Sequence, residues 1–447
     1  MSIKDKIFEA GIVGCGGAGF PTHVKFSANP EHIIINGAEC EPLLRTDRYI
    51  MTHYAPEIVA AAEAVRNETG AIDATVALKE HYKEEVKALR DAIDSAGLQK
   101  TVKVHTMKSF YPAGDEQVVV REVTGKVVPT AGIPLDVGCV VSNAATMLAV
   151  YEAINGKPFT DKFLTVTGNV KKPLVLHVPL GTPLSDCIAQ CGGSLTDDYI
   201  VVLGGPMMGK VISREEAQSK TVTKTTSGIL VLPKDSFLSK QHEIPVQRML
   251  NRARSACIQC SYCTQMCPRH LLGHPLEPHK IMRKTSMLGV TGILSDPDIK
   301  NAALCCECGV CEIYACPMGL QPRTINAMIK KALAEAGIRY EKGSGMKDES
   351  PMREFRKIPT EKIAARAGVR PYFDIEIKDI VEYTPKQVCL MLKQHIGAPS
   401  EPVVRDGNAV EKGQLIAKCP DGKLGANLHA SISGTVKVNN DYIEIDS

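Results

Sequence analysis

Cys257-x2-Cys260-x2-Cys263-x3-Cys267-Pro268 and Cys305-x2-Cys308-x2-Cys311-x4-Cys316-Pro317 are two runs of thiols on turn-sized spacing. Three thiolates two residues apart on a tight turn can cap three irons of one cubane. A fourth, set past a short helix and before proline, turns towards the other cluster. The pattern predicts two [4Fe–4S] clusters, one on Cys257, Cys260, Cys263 and Cys316, the other on Cys305, Cys308, Cys311 and Cys267. Cys306 is a spare thiol that could replace Cys305. Structural zinc also uses paired CxxC ligands, but zinc patterns rarely carry a triple plus Cys-Pro twice. Nine of the sixteen cysteines lie between 257 and 316, and the opening MSIKDKIFEA has no signal-peptide apolar core, so thiols here mean metal or redox chemistry rather than disulfides. Such paired clusters conduct single electrons and cannot by themselves accept hydride.

A second chemistry-bearing stretch is Gly14-Cys15-Gly16-Gly17-Ala18-Gly19-Phe20-Pro21-Thr22. Its glycines can bring backbone N–H groups against a phosphate, or they can form a plain turn. It does not fit the dinucleotide fingerprint, since no strand precedes it and Pro21 interrupts the helix start. Asn36-Gly37-Ala38-Glu39-Cys40-Glu41-Pro42 follows a strand-like run, where α/β sheets place ligands, although acids there are also ordinary surface groups. Tyr111-Pro112-Ala113-Gly114-Asp115-Glu116 is a third such turn.

The elements that must position these residues alternate. IIING (33–37), ATVALK (74–79), TVKVHT (101–106) and CVVSNA (139–144) read as strands, and 56–68 and 80–97 as helices ending near Gly70 and Gly97. This predicts a mainly parallel α/β sheet over 1–160. Strand, strand, helix, strand over 161–215 predicts a β-grasp module, with a connector at 216–245. The cluster module spans 246–335, and 336–387 is linker and helical segment, with 341–358 polar and glycine-bearing. Short strands with glycine turns over 388–447 predict a small all-β sandwich. His270, His274 and His279, spread over a loop, are expected to be exposed. Cys187 and Cys191, at i and i+4 of one helix, suit core packing. His395 and His429 read as packed histidines or as axial ligands to a corrin. With 53 basic against 50 acidic residues, net charge +3, 44% hydrophobic residues and no long apolar run, nucleic acid and membrane insertion are not expected.

GxGGAGFPT, NGAECEP, the YPAGDE turn and SNAATM together resemble the flavin- and NADH-binding subunit of respiratory complex I. The same set followed by a β-grasp module and a dicluster ferredoxin resembles the C subunit of the Rnf electron-transport complex. It also resembles that subunit's soluble relatives, the cobalamin reductases of propanediol-utilisation microcompartments and the electron-transfer protein serving clostridial proline reductase. The segment 394–436 stands at the C-terminus, as in the soluble group; in the Rnf protein its counterpart stands at the N-terminus.

The resemblance implies FMN in the glycine loop. Gly14, Gly16, Gly17 and Gly19 would allow close backbone approach, and Lys25 would take the phosphate. Asn36, Glu39 and Asn143 would contact the flavin or its ribityl chain. Glu41, Gly114, Glu116 and Phe20 or Phe26 would lie near the nicotinamide dinucleotide. Two departures stand out: Cys15 replaces an arginine of the complex I loop, and Ala38-Glu39 replaces an aspartate-glutamate pair. The sandwich resembles lipoyl carriers, yet Pro420–Gly425 offers no lysine target motif, so Lys423 is not expected to be modified. The function implied is NADH oxidation through FMN, with single electrons passing over two [4Fe–4S] clusters to a protein acceptor or a corrinoid-dependent enzyme. The alternative is an electron relay without NADH oxidation of its own. A cytoplasmic location is expected, the resemblance leaving open a microcompartment or a reductase complex.

Overall fold

The computed structural model describes residues 1–288 and 294–447; 289–293, inside the range expected for the cluster module, lie outside the described residues. Four parallel strands, β1 (His32–Asn36), β2 (Asp73–Lys79), β3 (Val102–Met107) and β4 (Cys139–Asn143), form the first sheet in the order β3-β2-β1-β4. Strand periodicity divides it between two cores. Ile33 and Ile35 of β1 pack into one, with Ile58, Val65 and Leu89. Ile34, between them, packs into the other, with Val118, Val119 and Leu272, the last contributed by the cysteine-rich region. Parallel strands covered on both faces read as near-continuous apolar runs, as IIIN does.

The helices of this domain are α1 (Ile3–Glu9), α2 (Thr22–Lys25), α3 (Thr46–His53), α4 (Ala55–Thr69), α5 (Lys83–Ala96), α6 (Glu116–Thr124) and α7 (Ala144–Ile154). Pro56 opens α4, and α4 and α5 stop at Gly70 and Gly97, both with positive φ, as their sequences imply.

The second sheet is mixed. Its strands are β5 (Asp161–Gly168), β6 (Leu174–Pro179), β7 (Tyr199–Leu203), β8 (Lys210–Ser213), β9 (Gly228–Pro233) and β10 (Ile380–Glu382), in the order β10-β6-β5-β9-β7-β8. This corrects the expected boundaries: β9, from the stretch read as connector, sits centrally between β5 and β7. β10, from the stretch read as linker, forms an edge. Cys187 and Cys191 are fully buried in this module's core.

The stretch 341–358 is docked rather than solvated. Lys347 N–H donates to Gly273 O (2.8 Å), Ser350 N–H to Leu271 O (3.0 Å) and Tyr111 N–H to Ile358 O (2.8 Å). Arg353, 7% exposed, pairs with Glu122, which Lys357 also reaches at 2.9 Å. The C-terminal module holds β11 (Gln387–Met391), β12 (Glu401–Pro402), β13 (Ala409–Val410), β14 (Leu415–Lys418), β15 (Leu428–His429), β16 (Gly434–Val438) and β17 (Tyr442–Asp446). They make two small sheets, β11-β17-β16-β13 and β12-β14-β15, around one apolar core. No helix among the described residues is long and apolar enough to cross a membrane.

Candidate functional site

The carboxyl ends of β1, β2 and β4 place Asn36, Lys79 and Asn143 along one edge of the parallel sheet. The glycine loop lies against that edge: a Cβ on Gly16 would stand 3.4 Å from Asn143 Nδ2. Gly17 and Gly19 have positive φ, and Gly16, Gly17 and Ala18 are exposed, with no backbone partner for their amides among the described residues. Cys15, by contrast, is buried, its amide donating to Thr146 Oγ1 at 2.9 Å. Gly14 N–H donates to Phe20 O (3.0 Å), which closes the loop, and Phe20 is exposed. Lys25 Nζ reaches Val141 O (2.7 Å) and Glu116 Oε1 (3.0 Å), so it joins the loop helix to the YPAGDE turn. Asn36 Nδ2 donates to Gly114 O (2.8 Å), and Gly114 is so close to Cys40 that a Cβ there would meet the Cys40 Cβ at 3.0 Å.

Buried charge accompanies this edge. Glu39 accepts from Asp47 N–H (3.0 Å), while Asp47 accepts from Asn143 Nδ2 (2.7 Å). Burial, and then the neighbouring Asp47, pushes Glu39 up to about 8; burial pushes Asp47 up to about 6. Lys79, 1% exposed, donates to Glu39 O at 3.1 Å, and burial lowers its pKa. Asp47 and Lys79 carry no motif signal, since each sits in an ordinary helix or strand run; only the fold brings them to Glu39. Glu41 has both oxygens committed, accepting from Met207 N–H (2.9 Å) and Met208 N–H (2.7 Å) of the β-grasp module. It therefore clamps two modules together, a role the resemblance does not imply.

Cys257, Cys260, Cys263 and Cys316 line one cavity together. Cys267 is in electrostatic range of Cys305, and Cys308 of both Cys267 and Cys311. Cys311 lies within range of Cys263, which puts the two sets side by side. Cys306 lies beside Cys308. Among the described residues no three His, Cys, Asp or Glu side chains converge on a single-ion site. A cubane takes one thiolate on each of four separate irons. The residues present fit the cubane, and the three free loop amides beside Asn143 fit a phosphate-bearing flavin.

The second thiol set abuts the first sheet's loops. Tyr111 Oη donates to Cys308 O at 2.7 Å. Asp115 caps α6 through Gln117 N–H and Val118 N–H, and also takes a bidentate pair from Arg269, two residues past Cys267, at 2.6 and 2.9 Å. Neither role is legible in the turn itself. The expected exposure of the 270–280 histidines is corrected: His274 is 1% exposed, His270 and His279 are half-buried, and His279 Nδ1 is 2.7 Å from Thr264 Oγ1. His395 and His429 are buried in the C-terminal module.

Comparison with known proteins follows the same division. Residues 7–152 match the Nuo51 FMN-binding domain, 163–211 the SLBB domain, 256–321 the 4Fe-4S dicluster domain and 374–444 the RnfC barrel sandwich hybrid domain. The chain is 39% identical to cobalamin reductase PduS of Salmonella typhimurium, covering 97% of this chain and 94% of that protein. It is 38% identical to cobalamin reductase PduS of Citrobacter freundii, over 98% and 94% respectively. To the C subunit of the Na(+)-translocating ferredoxin:NAD(+) oxidoreductase complex of Acetobacterium woodii it is 34% identical, over 60% of this chain and 58% of that one. The modules describe an iron–sulfur flavoprotein oxidoreductase built for electron transfer. The chain belongs to the PduS family, relatives of the Rnf C subunit.

Proposed function

We propose that this protein oxidises NADH through FMN and passes single electrons over two [4Fe–4S] clusters to a corrinoid acceptor, reducing cob(II)alamin. The observation carrying this reading is the hydrogen bond of Tyr111 Oη to Cys308 O, 2.7 Å, which joins the flavin-type domain directly to the second thiol set. Bound FMN would supply the conversion of a hydride pair into single electrons. Gly16, Gly17 and Ala18 offer amides to its phosphate, and Asn36, Glu39 and Asn143 line the sheet edge beside the loop. Cys305, Cys308, Cys311 and Cys267 hold the cluster nearer the flavin-type domain, and Cys257, Cys260, Cys263 and Cys316 the other. The near full-length likeness to two proteins named cobalamin reductase supports the acceptor. An anaerobic NADH titration of the cluster-reconstituted protein tests it: flavin bleaching, reduced-cluster EPR signals and cob(I)alamin formation on adding cob(II)alamin are expected. Clusters that dithionite reduces and NADH does not would make the chain a relay between two partners.

A further inference from the structure

Arg269 is a charge buried beside the second thiol set. It stands two residues past Cys267, in the short helix Pro268–Leu271, and is 8% exposed. Its guanidinium donates to both Asp115 oxygens, at 2.6 and 2.9 Å, and lies within electrostatic range of Cys306 and Cys308. At Cys306 the guanidinium acts more strongly than the Asp115 carboxylate, so the pair turns its positive end to the thiols. Stability is a weak reason to bury such a pair, because desolvation offsets most of the attraction. Capping of α6 does not require it either, since a neutral asparagine at 115 would accept from the Gln117 and Val118 amides as well.

The two thiol sets differ in their access to water. Cys267, Cys305, Cys308 and Cys311 are buried, whereas Cys257, Cys260, Cys263 and Cys316 are half-buried. A [4Fe–4S] cluster gains a negative charge on reduction, and water stabilises that charge only where it reaches. A cluster in the buried set has little of that help. Lys330 also approaches this set, donating to Cys305 O (2.9 Å), but it and its partner Glu307 are exposed, where solvent and salt screen them. Arg269 is shielded from water, and an arginine keeps its charge throughout the working pH range.

We propose that Arg269 raises the reduction potential of the cluster held by Cys267, Cys305, Cys308 and Cys311, and that Asp115 limits the rise by neutralising part of its charge. The buried cation does for the reduced cluster what solvent does for the more exposed one. The inference rests on the ligand sets proposed above and not on where the electrons come from.

The test is a mediated dithionite titration of the full-length, cluster-loaded protein, followed by EPR. Arg269→Gln should lower the midpoint of one cluster by about 59 mV or more, a tenfold change in a one-electron equilibrium. Asp115→Asn keeps the cap and bares the cation, so it should raise the same midpoint. Arg269→Lys, which retains the charge, should stay nearest the parent. The other cluster should hold its midpoint in all three. In a Cys316→Ser background, which removes that other cluster, both shifts should persist. A purely structural role would move the two opposed variants the same way or not at all. Shifts of one sign, shifts in the wrong cluster, or midpoints that match the parent overturn the proposal. Where Arg269→Gln fails to hold iron, Asp115→Asn decides alone: no rise in its midpoint overturns the proposal. Parent protein with about four irons and a single cluster signal would instead overturn the two ligand sets, and this proposal with them.

Discussion

Glu39 is the residue whose chemistry depends most on where the fold puts it. Its carboxyl is held up at about 8 by burial and by Asp47, so the folded chain keeps a proton that the unfolded chain releases from about 4.5 upward. Stability contributed by that proton is complete at low pH and is lost as pH rises towards about 8. The cofactor-free protein should therefore lose on the order of a few kcal/mol across this window. Glu39→Gln, which cannot ionise, should flatten the curve; thermal unfolding against pH measures both, and parallel curves would refute the assignment. The thiols give a second residue-level prediction. Cys316→Ser should remove the cluster shared with Cys257, Cys260 and Cys263 and leave the other, taking iron from about eight to about four per chain. Iron analysis with EPR checks it; loss of both signals would contradict two separate ligand sets.

At the scale of elements, the Tyr111–Glu116 turn fastens the sheet domain to the cluster module. Tyr111 reaches Cys308 O, and Asp115 at the head of α6 holds Arg269. Tyr111→Phe deletes one buried hydrogen bond and leaves a carbonyl unsatisfied, so it should cost about 1–3 kcal/mol. The proposed transfer from flavin to cluster should slow with it. Denaturant unfolding and stopped-flow cluster reduction separate the two effects. The segment 341–358 fastens the same pair of modules from outside through Arg353 and Glu122. Lys357 still reaches Glu122 when Arg353 is removed, so the loss is that of the buried Arg353 contacts, about 1–3 kcal/mol. Arg353→Ala should therefore open this strap to limited proteolysis, with cleavage mapped by mass spectrometry to 341–358; an intact strap would show the pair to be dispensable.

Over the whole molecule, the C-terminal module completes the flavin-type domain. Ile396 N–H donates to Ala18 O (3.2 Å), and a Cβ on Gly19 would meet His395 Cα at 3.1 Å. Lys224, 1% exposed, bridges the two by donating to Gly11 O (2.8 Å) and Asn427 O (2.6 Å). Lys224→Met should strand both carbonyls, costing on the order of 2–4 kcal/mol, and should loosen the glycine loop. FMN affinity, read by recovery of free-flavin fluorescence, is expected to fall with it. Unchanged affinity would mean that the module docks without supporting the loop.

The local chemistry is readable because it depends on neighbours along the chain. Cysteine spacing, glycine content, the IIIN run and the helix-ending Gly70 and Gly97 act within a few residues, and periodicity exposes them. Composition alone misreads 341–358, because a polar stretch looks solvated until buried partners such as Glu122 are brought to it. Pairing of β9 with β5 and β7 and of β10 with β6 joins residues far apart in sequence, which no local pattern encodes. The burial of His274, the placing of Asp47 beside Glu39 and the clamp of Glu41 on Met207 and Met208 arise likewise from long-range packing. The order of residues along the chain is thus enough to mark the local elements, the glycine loop and the cysteine spacing. Which buried charges and carbonyls face them is settled by packing, since desolvation and contact exist only once distant segments meet.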